Sequence, residues 1–224
     1  MTLPRVKTLA AVGLGVLVLA GCGSARPGVA LEVEGQRVSL DRVESMAAGL
    51  CGGLGPLNEQ SGSTLPRSSA QTEAAAMYLN DLLAQQFADE FDLSPTPAYA
   101  QQVSALEQEV VAQGVAAEHV DPVVEFLSTH ALISDLQVQA GRSAMAEQGT
   151  AEAPAEQAQQ AGAAVFAAWA AERDVEIDPR FGLGLEEGNL VIADNDLSVA
   201  VSEVASIAQD PQRLGELPAS LRCS

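Results

Sequence analysis

Along this chain the spacing of apolar positions changes from strand-like to helical and back again. From Ala30 to Val38 the order Ala-Leu-Glu-Val-Glu-Gly-Gln-Arg-Val sets Leu31 and Val33 against Glu32 and Glu34. That alternation predicts a half-buried strand, with Gly35 at a hairpin or bend. Ser39 caps a helix over about Leu40 to Leu50, and Gly52, Gly53, Gly55 and Pro56 end it, so residues 51–69 read as a flexible loop. Between Ala70 and Phe91 the positions Ala75, Leu79, Leu82, Leu83, Phe87 and Phe91 recur at helical spacing, with Asp81, Gln85 and Asp89 elsewhere on the wheel. A long amphipathic helix follows. Thr96-Pro97 pairs a cap with proline at the first helical position and starts a helix to about Gln113; Asp121-Pro122 repeats the device for a helix to about Gln148, with Val124, Leu127, Ala131, Leu132 and Leu136 on one face. Gly149 to Pro154 breaks the pattern, and Glu156 to Asp174 forms an alanine-rich helix carrying Phe166 and Trp169.

The strand period then returns. Val175-Glu176-Ile177-Asp178 alternates, Pro179 to Gly182 turns, and Leu190 to Ala193 is a second short apolar run. A brief helix over about Ser198 to Ala208 and a coil tail complete the chain. No repeat of 20–50 residues stands out. The predicted class is mainly α with a small β element, a helical bundle with short N- and C-terminal strands.

Composition narrows the function. The 224 residues are 47% hydrophobic, much of it alanine, and 30 acids against 11 bases give a net charge of −19. Alanine buries little but favours helix. A nucleic-acid binder is excluded, because phosphate contacts need a basic face.

The first segment reads as an address. Arg5 and Lys7 precede the uncharged run Leu9 to Ala20, followed at once by Gly21 and Cys22. Twelve helical residues span about 18 Å against roughly 30 Å of hydrocarbon, so the run is an export signal and not a permanent membrane span. Leu19-Ala20-Gly21-Cys22 resembles the lipobox of bacterial lipoproteins, which implies cleavage after residue 21 and lipidation of Cys22 at the outer face of the bacterial cytoplasmic membrane. Residues 22–29 would then be a tether and 30–224 the folded body. Removing residues 1–21 leaves 9 arginines against 30 acids, a net charge of −21, and no lysine. Such a body is repelled by anionic headgroups, so the lipid must hold it at the membrane.

With Cys22 lipidated, Cys51 and Cys223 remain in an exported chain and are predicted to pair, closing a loop long enough for about 5 kcal/mol in the chain-entropy model. The search for chemistry is otherwise negative. His119 and His130 are separated by Asp121-Pro122, which on this reading starts a new helix, so no metal pair is expected. No serine sits in a nucleophile elbow, and no cysteine is left for a Cys-His pair. Gly182-Leu183-Gly184 lacks a following helix, and Asp194-Asn195-Asp196 lacks the glycine and glutamate spacing of a calcium loop. No cofactor, no metal and no catalytic residue is expected.

Phe87, Phe91, Phe126, Phe166 and Trp169 suit buried helix faces, and most are expected in the core. In a helical body with a cradle, some would line an apolar surface for unfolded clients, with Met46, Met77 and Met145 helping.

The order of these pieces resembles the SurA-type and PrsA-type extracytoplasmic foldases. The resemblance rests on Val33, Gly35 and Val38 in the early strand, within residues 31–43, and on Val175 to Gly182 after a long helix. It implies that the terminal strands meet, that the helices form a bowl for unfolded or newly exported proteins, and that Met77, Phe87, Phe91, Phe126, Phe166 and Trp169 are its candidate client contacts. A Cys51–Cys223 bond fits that closure. The family's parvulin isomerase domain needs on the order of 90 residues, and the interval from about Gly141 to Glu156 cannot hold it. The expectation is therefore a lipid-anchored holdase that is not an enzyme, with a structural lipoprotein docking one envelope partner as the alternative.

Overall fold

A computed structural model describes residues 26–150, 153–193, 203–210 and 212–223. The export signal, Cys22 and Asp194-Asn195-Asp196 lie outside the described residues. The early strand forms as a hairpin, β1 (Val29–Val33) and β2 (Gln36–Ser39). Glu34 and Gly35 between them have φ of 49° and 82°, the left-handed pair that a two-residue type I′ turn requires. β1 also pairs antiparallel with β3 (Val175–Ile177), Leu31 opposite Ile177 and Val33 opposite Val175, so the sheet order is β2-β1-β3. The early and late extended segments therefore share one sheet. Asp178 N–H donates to Ala30 O and Glu34 N–H to Asp174 O, continuing the ladder at both ends.

Five helices carry the body: α1 (Leu40–Gln60), α2 (Arg67–Glu90), α3 (Pro97–Ala112), α4 (Ala117–Glu147) and α5 (Ala155–Ala170). Ser39 caps α1 by accepting from Arg42 N–H at 3.2 Å, and Thr96 caps α3 by accepting from Tyr99 N–H at 3.3 Å. Leu31 and Val33 of β1, Leu50 of α1, Leu79, Leu83 and Phe87 of α2 and Leu136 of α4 are buried together in one core. Tyr99, Val103, Leu106 and Val110 put one stripe of α3 toward α4, and the rest of α3 is exposed.

Two expected boundaries are corrected. α1 does not stop at Leu50 but continues through the glycines and Pro56 to Gln60, leaving only a short turn before α2 where a loop to residue 69 was expected. A Cβ on Gly49 would stand 2.6 Å from the Pro122 ring, one on Gly52 2.2 Å from the His119 ring, and one on Gly53 2.5 Å from a Val123 methyl. The glycines are thus the surface on which the first turns of α4 rest, and that packing offsets about 1 kcal/mol of helix propensity lost at each. Likewise α4 begins at Ala117, and Pro122 lies inside it.

α4 and α5 approach closely through another glycine pair. A Cβ on Gly141 would fall 1.7 Å from Ala158 O, and one on Gly162 1.7 Å from Gln137 O. After β3, a 3-10 turn (Pro179–Phe181) leads to a second hairpin, β4 (Leu183–Glu186) and β5 (Asn189–Ile192). The sequence pattern shows β5 but not β4, whose Leu-Gly-Leu-Glu is too short to declare a period. Of the last expected helix, α6 (Glu203–Gln209) is described; the tail beyond it holds two 3-10 turns, Leu214–Glu216 and Ala219–Leu221.

The tail returns to the start of α2. Cys223 bonds Cys51 of α1, 172 residues away, with Cα atoms 4.6 Å apart. Cys223 N–H donates to Leu65 O at 2.8 Å, and Arg67 Nε donates to Arg222 O at 3.3 Å. Among the described residues no helix is long and apolar enough to cross a membrane.

Candidate functional site

The helical period of α2 and α5 brings their aromatic residues together. Phe87 lies 4.5 Å from Phe91, 5.0 Å from Phe166 and 5.3 Å from Trp169, ring centre to ring centre. The last two contacts are edge-on, the arrangement that the ring quadrupoles favour. Trp169 Nε1 donates to Glu90 Oε2 at 2.8 Å, while the Arg173 guanidinium sits 4.8 Å from the centre of the indole and 3.4 Å from the same carboxylate oxygen. A polar cap thus closes one side of the cluster. Three of its rings are structural, Phe87 at 0%, Trp169 at 6% and Phe166 at 8% exposure, as is Met77 of the same helix as Phe87 at 2%. Of the six candidate client contacts, these four are core residues, because each is consumed by packing between α2 and its neighbours. Phe91 is exposed at 42%, and Phe126, half-buried on α4, stacks edge-on with His130 at 5.7 Å.

His119 and His130 share the unbroken helix α4, contrary to the expected break at Pro122. Eleven residues put them about 16 Å apart along the axis, too far for one ion. His119 is spent over Gly52, and no group of three metal-ligating side chains occurs among the described residues.

Charge is arranged mostly in local pairs. Glu32 on β1 accepts from both Arg26 and Arg37; the Arg37 hydrogen bond is foremost in holding its carboxyl below the ordinary glutamate range. On α4, desolvation raises the Glu125 carboxyl, opposed by Arg42 of α1. Asp135 of α4 accepts from Thr96 N–H and Oγ1 and from Gln139 Nε2, fastening the start of α3 to α4.

A cavity with no Asp, Glu, Lys or Arg in its lining has His130 as its one titratable side chain. It encloses about 230 Å³ between α2, α4, α5 and the β4–β5 hairpin. Leu83, Ile133, Phe166 and Leu190 line it together with Asn80, His130, Gln137 and Asn189. The cavity on the β1–β3 face has Arg26, Glu32, Glu176 and Asp178 around it, and of two between α3 and α4 one has Asp135 and Arg142 and the other Glu107, Asp121 and Glu125. The sequence pattern does not announce this cavity. A signal was there: Asn80 stands three and seven residues before Leu83 and Phe87, on the face that period assigns to the interior. The opposing hairpin could not be anticipated from it.

No family model matches this chain, and no curated protein sequence or solved structure matches it.

Proposed function

We propose that this chain is a membrane-anchored extracytoplasmic holdase, held by lipid on Cys22, that captures segments of unfolded or newly exported proteins without ATP. The observation that carries the reading is the pairing of β3 with β1, which supports the closed organisation implied by the resemblance to SurA-type and PrsA-type foldases. The Cys51–Cys223 bond supports it as well, since disulfides persist where exported proteins fold. The holdase has no prolyl isomerase activity on this reading. Residues 148–154 join α4 to α5, and a folded domain takes at least about 50 residues.

Capture is weak and reversible. Each 100 Å² of apolar area withdrawn from water contributes about 2.5 kcal/mol before ordering costs, so a few small contacts suffice to delay aggregation. The burial of Phe87, Phe166 and Trp169 takes them out of any broad apolar bowl. That same burial also favours the second reading, a structural lipoprotein that docks one envelope partner. The test is aggregation of several unrelated denatured proteins in the presence of the soluble chain from residue 23 onward. Suppression of several of them is expected; no suppression, together with one stable co-purifying partner, would establish the docking lipoprotein instead. Labelled palmitate entering the full chain but not its Cys22→Ala variant tests the anchor.

A further inference from the structure

Helix α3 is fastened to the molecule along one side and at few points. It rests on α4 and, among the described elements, on no other to more than a marginal extent. Of its 16 residues only Val110 is buried. Tyr99, Val103 and Leu106 on the same stripe stay half-buried, and two cavities of about 390 Å³ each open along the seam with α4. Gaps between helices forfeit the dispersion that close packing gives. The firmest fastening is polar and sits at one end. Asp135 of α4 accepts from Thr96 N–H at 3.0 Å and from Thr96 Oγ1 at 2.6 Å, and Gln139 Nε2 donates to Ser94 O at 3.0 Å. Leu93 and Val115, just outside α3, pack against the core. The helix therefore lies between two anchored ends with only Val110 to withdraw from the interior, and so sparse a set of buried contacts puts it at the low end of local stability.

Charge opposes the closed position. α3 carries Glu107 and Glu109 and no basic residue. Glu107 lines one seam cavity together with Asp121 and Glu125 of α4, and no arginine shares that lining. Glu125 has Arg42 of α1 within electrostatic reach, but neither Glu107 nor Asp121 has an ion pair or hydrogen bond among the described residues. Like charges facing each other weaken an interface, and opposite ones select a partner for it. A helix with Lys or Arg at the place of Glu107 complements this face of α4 better than α3 does. We infer that α3 is a displaceable strap over a helix-binding face of α4, formed by Val124, Ala131 and Val138 with Asp121 and Glu125 at one flank. The occupant is an amphipathic helix of another polypeptide, apolar at the spacing of Tyr99, Val103, Leu106 and Val110 and basic where it meets those acids. The inference rests on the holdase reading, for which it names the client's chemistry and its seat.

The test uses the soluble chain from residue 23 onward, disulfide intact, and three blocked peptides: residues 96–113 unchanged, the same residues carrying Glu107→Arg and Glu109→Arg, and this basic peptide in scrambled order. Amide exchange of the free chain is expected to show residues 97–112 opening together, about a hundredfold more often than the slowest amides of α2. In NMR titrations the basic peptide is expected to give saturable shifts confined to α3 and the α4 face, with about tenfold higher affinity than the unchanged one, and the scrambled peptide none. Substitutions in the chain act through the open fraction, which scales the apparent affinity. Asp135→Ala, which frees Thr96, is expected to speed exchange of α3 and to tighten binding of the basic peptide about fivefold; Glu107→Arg, which gives α3 the missing cation, is expected to slow exchange and weaken binding about as much. Should Asp135→Ala not fold, Glu107→Arg, at an exposed position, decides. Protection of α3 equal to that of α2, equal binding of the scrambled peptide, or unchanged affinity in the folded variants would overturn the strap. Shifts of α3 and α4 on raising protein concentration alone would make a second copy the occupant and overturn it too. Aggregation assays separate the two claims. Suppression unchanged in both variants leaves the holdase and overturns the strap; peptide binding that follows both variants, with no suppression by the natural chain, leaves the strap and removes the holdase.

Discussion

Gly35 and Gly188 do the same backbone job in different surroundings. Each is the second residue of a Glu-Gly turn, with φ of 82° and 76° after Glu34 and Glu187 at 49°. Around Gly35 a Cβ would meet nothing within 4 Å, whereas at Gly188 it would fall 1.8 Å from Ala167 O on α5. Gly35→Ala carries only the left-handed penalty of about 1 kcal/mol. Gly188→Ala adds a steric clash with α5 backbone, for a loss of about 3 kcal/mol. Urea midpoints of the two variants check the difference, and equal losses would mean that the second hairpin is not seated on α5. Only the tight turn is legible at either position from local chemistry, because the second constraint comes from residue 167.

Helix ends and helix contacts teach a different lesson at the scale of elements. The caps Ser39 and Thr96 and the apolar period of α2 were readable because each depends on residues within one or two turns. Gly49, Gly52 and Gly53 of α1 show the complementary case: propensity marks them as breakers, and what keeps them helical is α4, about seventy residues on, lying against them. Gly141 and Gly162 make the same point between α4 and α5. Alanine at either gains about 1 kcal/mol of propensity but drives a methyl into backbone carbonyl, so each substitution is expected to cost about 3 kcal/mol net or to separate the helices. Thermal melts followed at Trp169, whose α5 neighbours would move, check this. A variant as stable as the natural chain would show that the two helices do not meet at these glycines.

At the scale of the whole molecule, two ties join parts of the chain more than 140 residues apart: β3 to β1, and Cys223 to Cys51. Replacing Cys51 and Cys223 together with serine removes the constraint on the unfolded chain, for which a 172-residue loop gives about 5 kcal/mol in the entropy model and measured bridges more often 2–4. The expected result is a loss of about 3 kcal/mol in denaturant, with faster amide exchange in residues 212–223 and retained protection in β1. Full protection of the tail without the bridge would show that Leu65, Arg67 and buried Leu217 hold it unaided.

What the amino-acid order determines by itself is everything set by near neighbours: the alternation of β1, the caps at Ser39 and Thr96, the helical faces and the mainly α class. Tertiary structure alone decides which apolar face meets which. It turns four candidate client contacts into core, keeps α1 helical across its glycines, and assembles one cavity from Asn80, His130, Gln137 and Leu190. The reason is that burial and close approach are properties of partners distant in sequence, and a local pattern specifies a face without naming what will cover it.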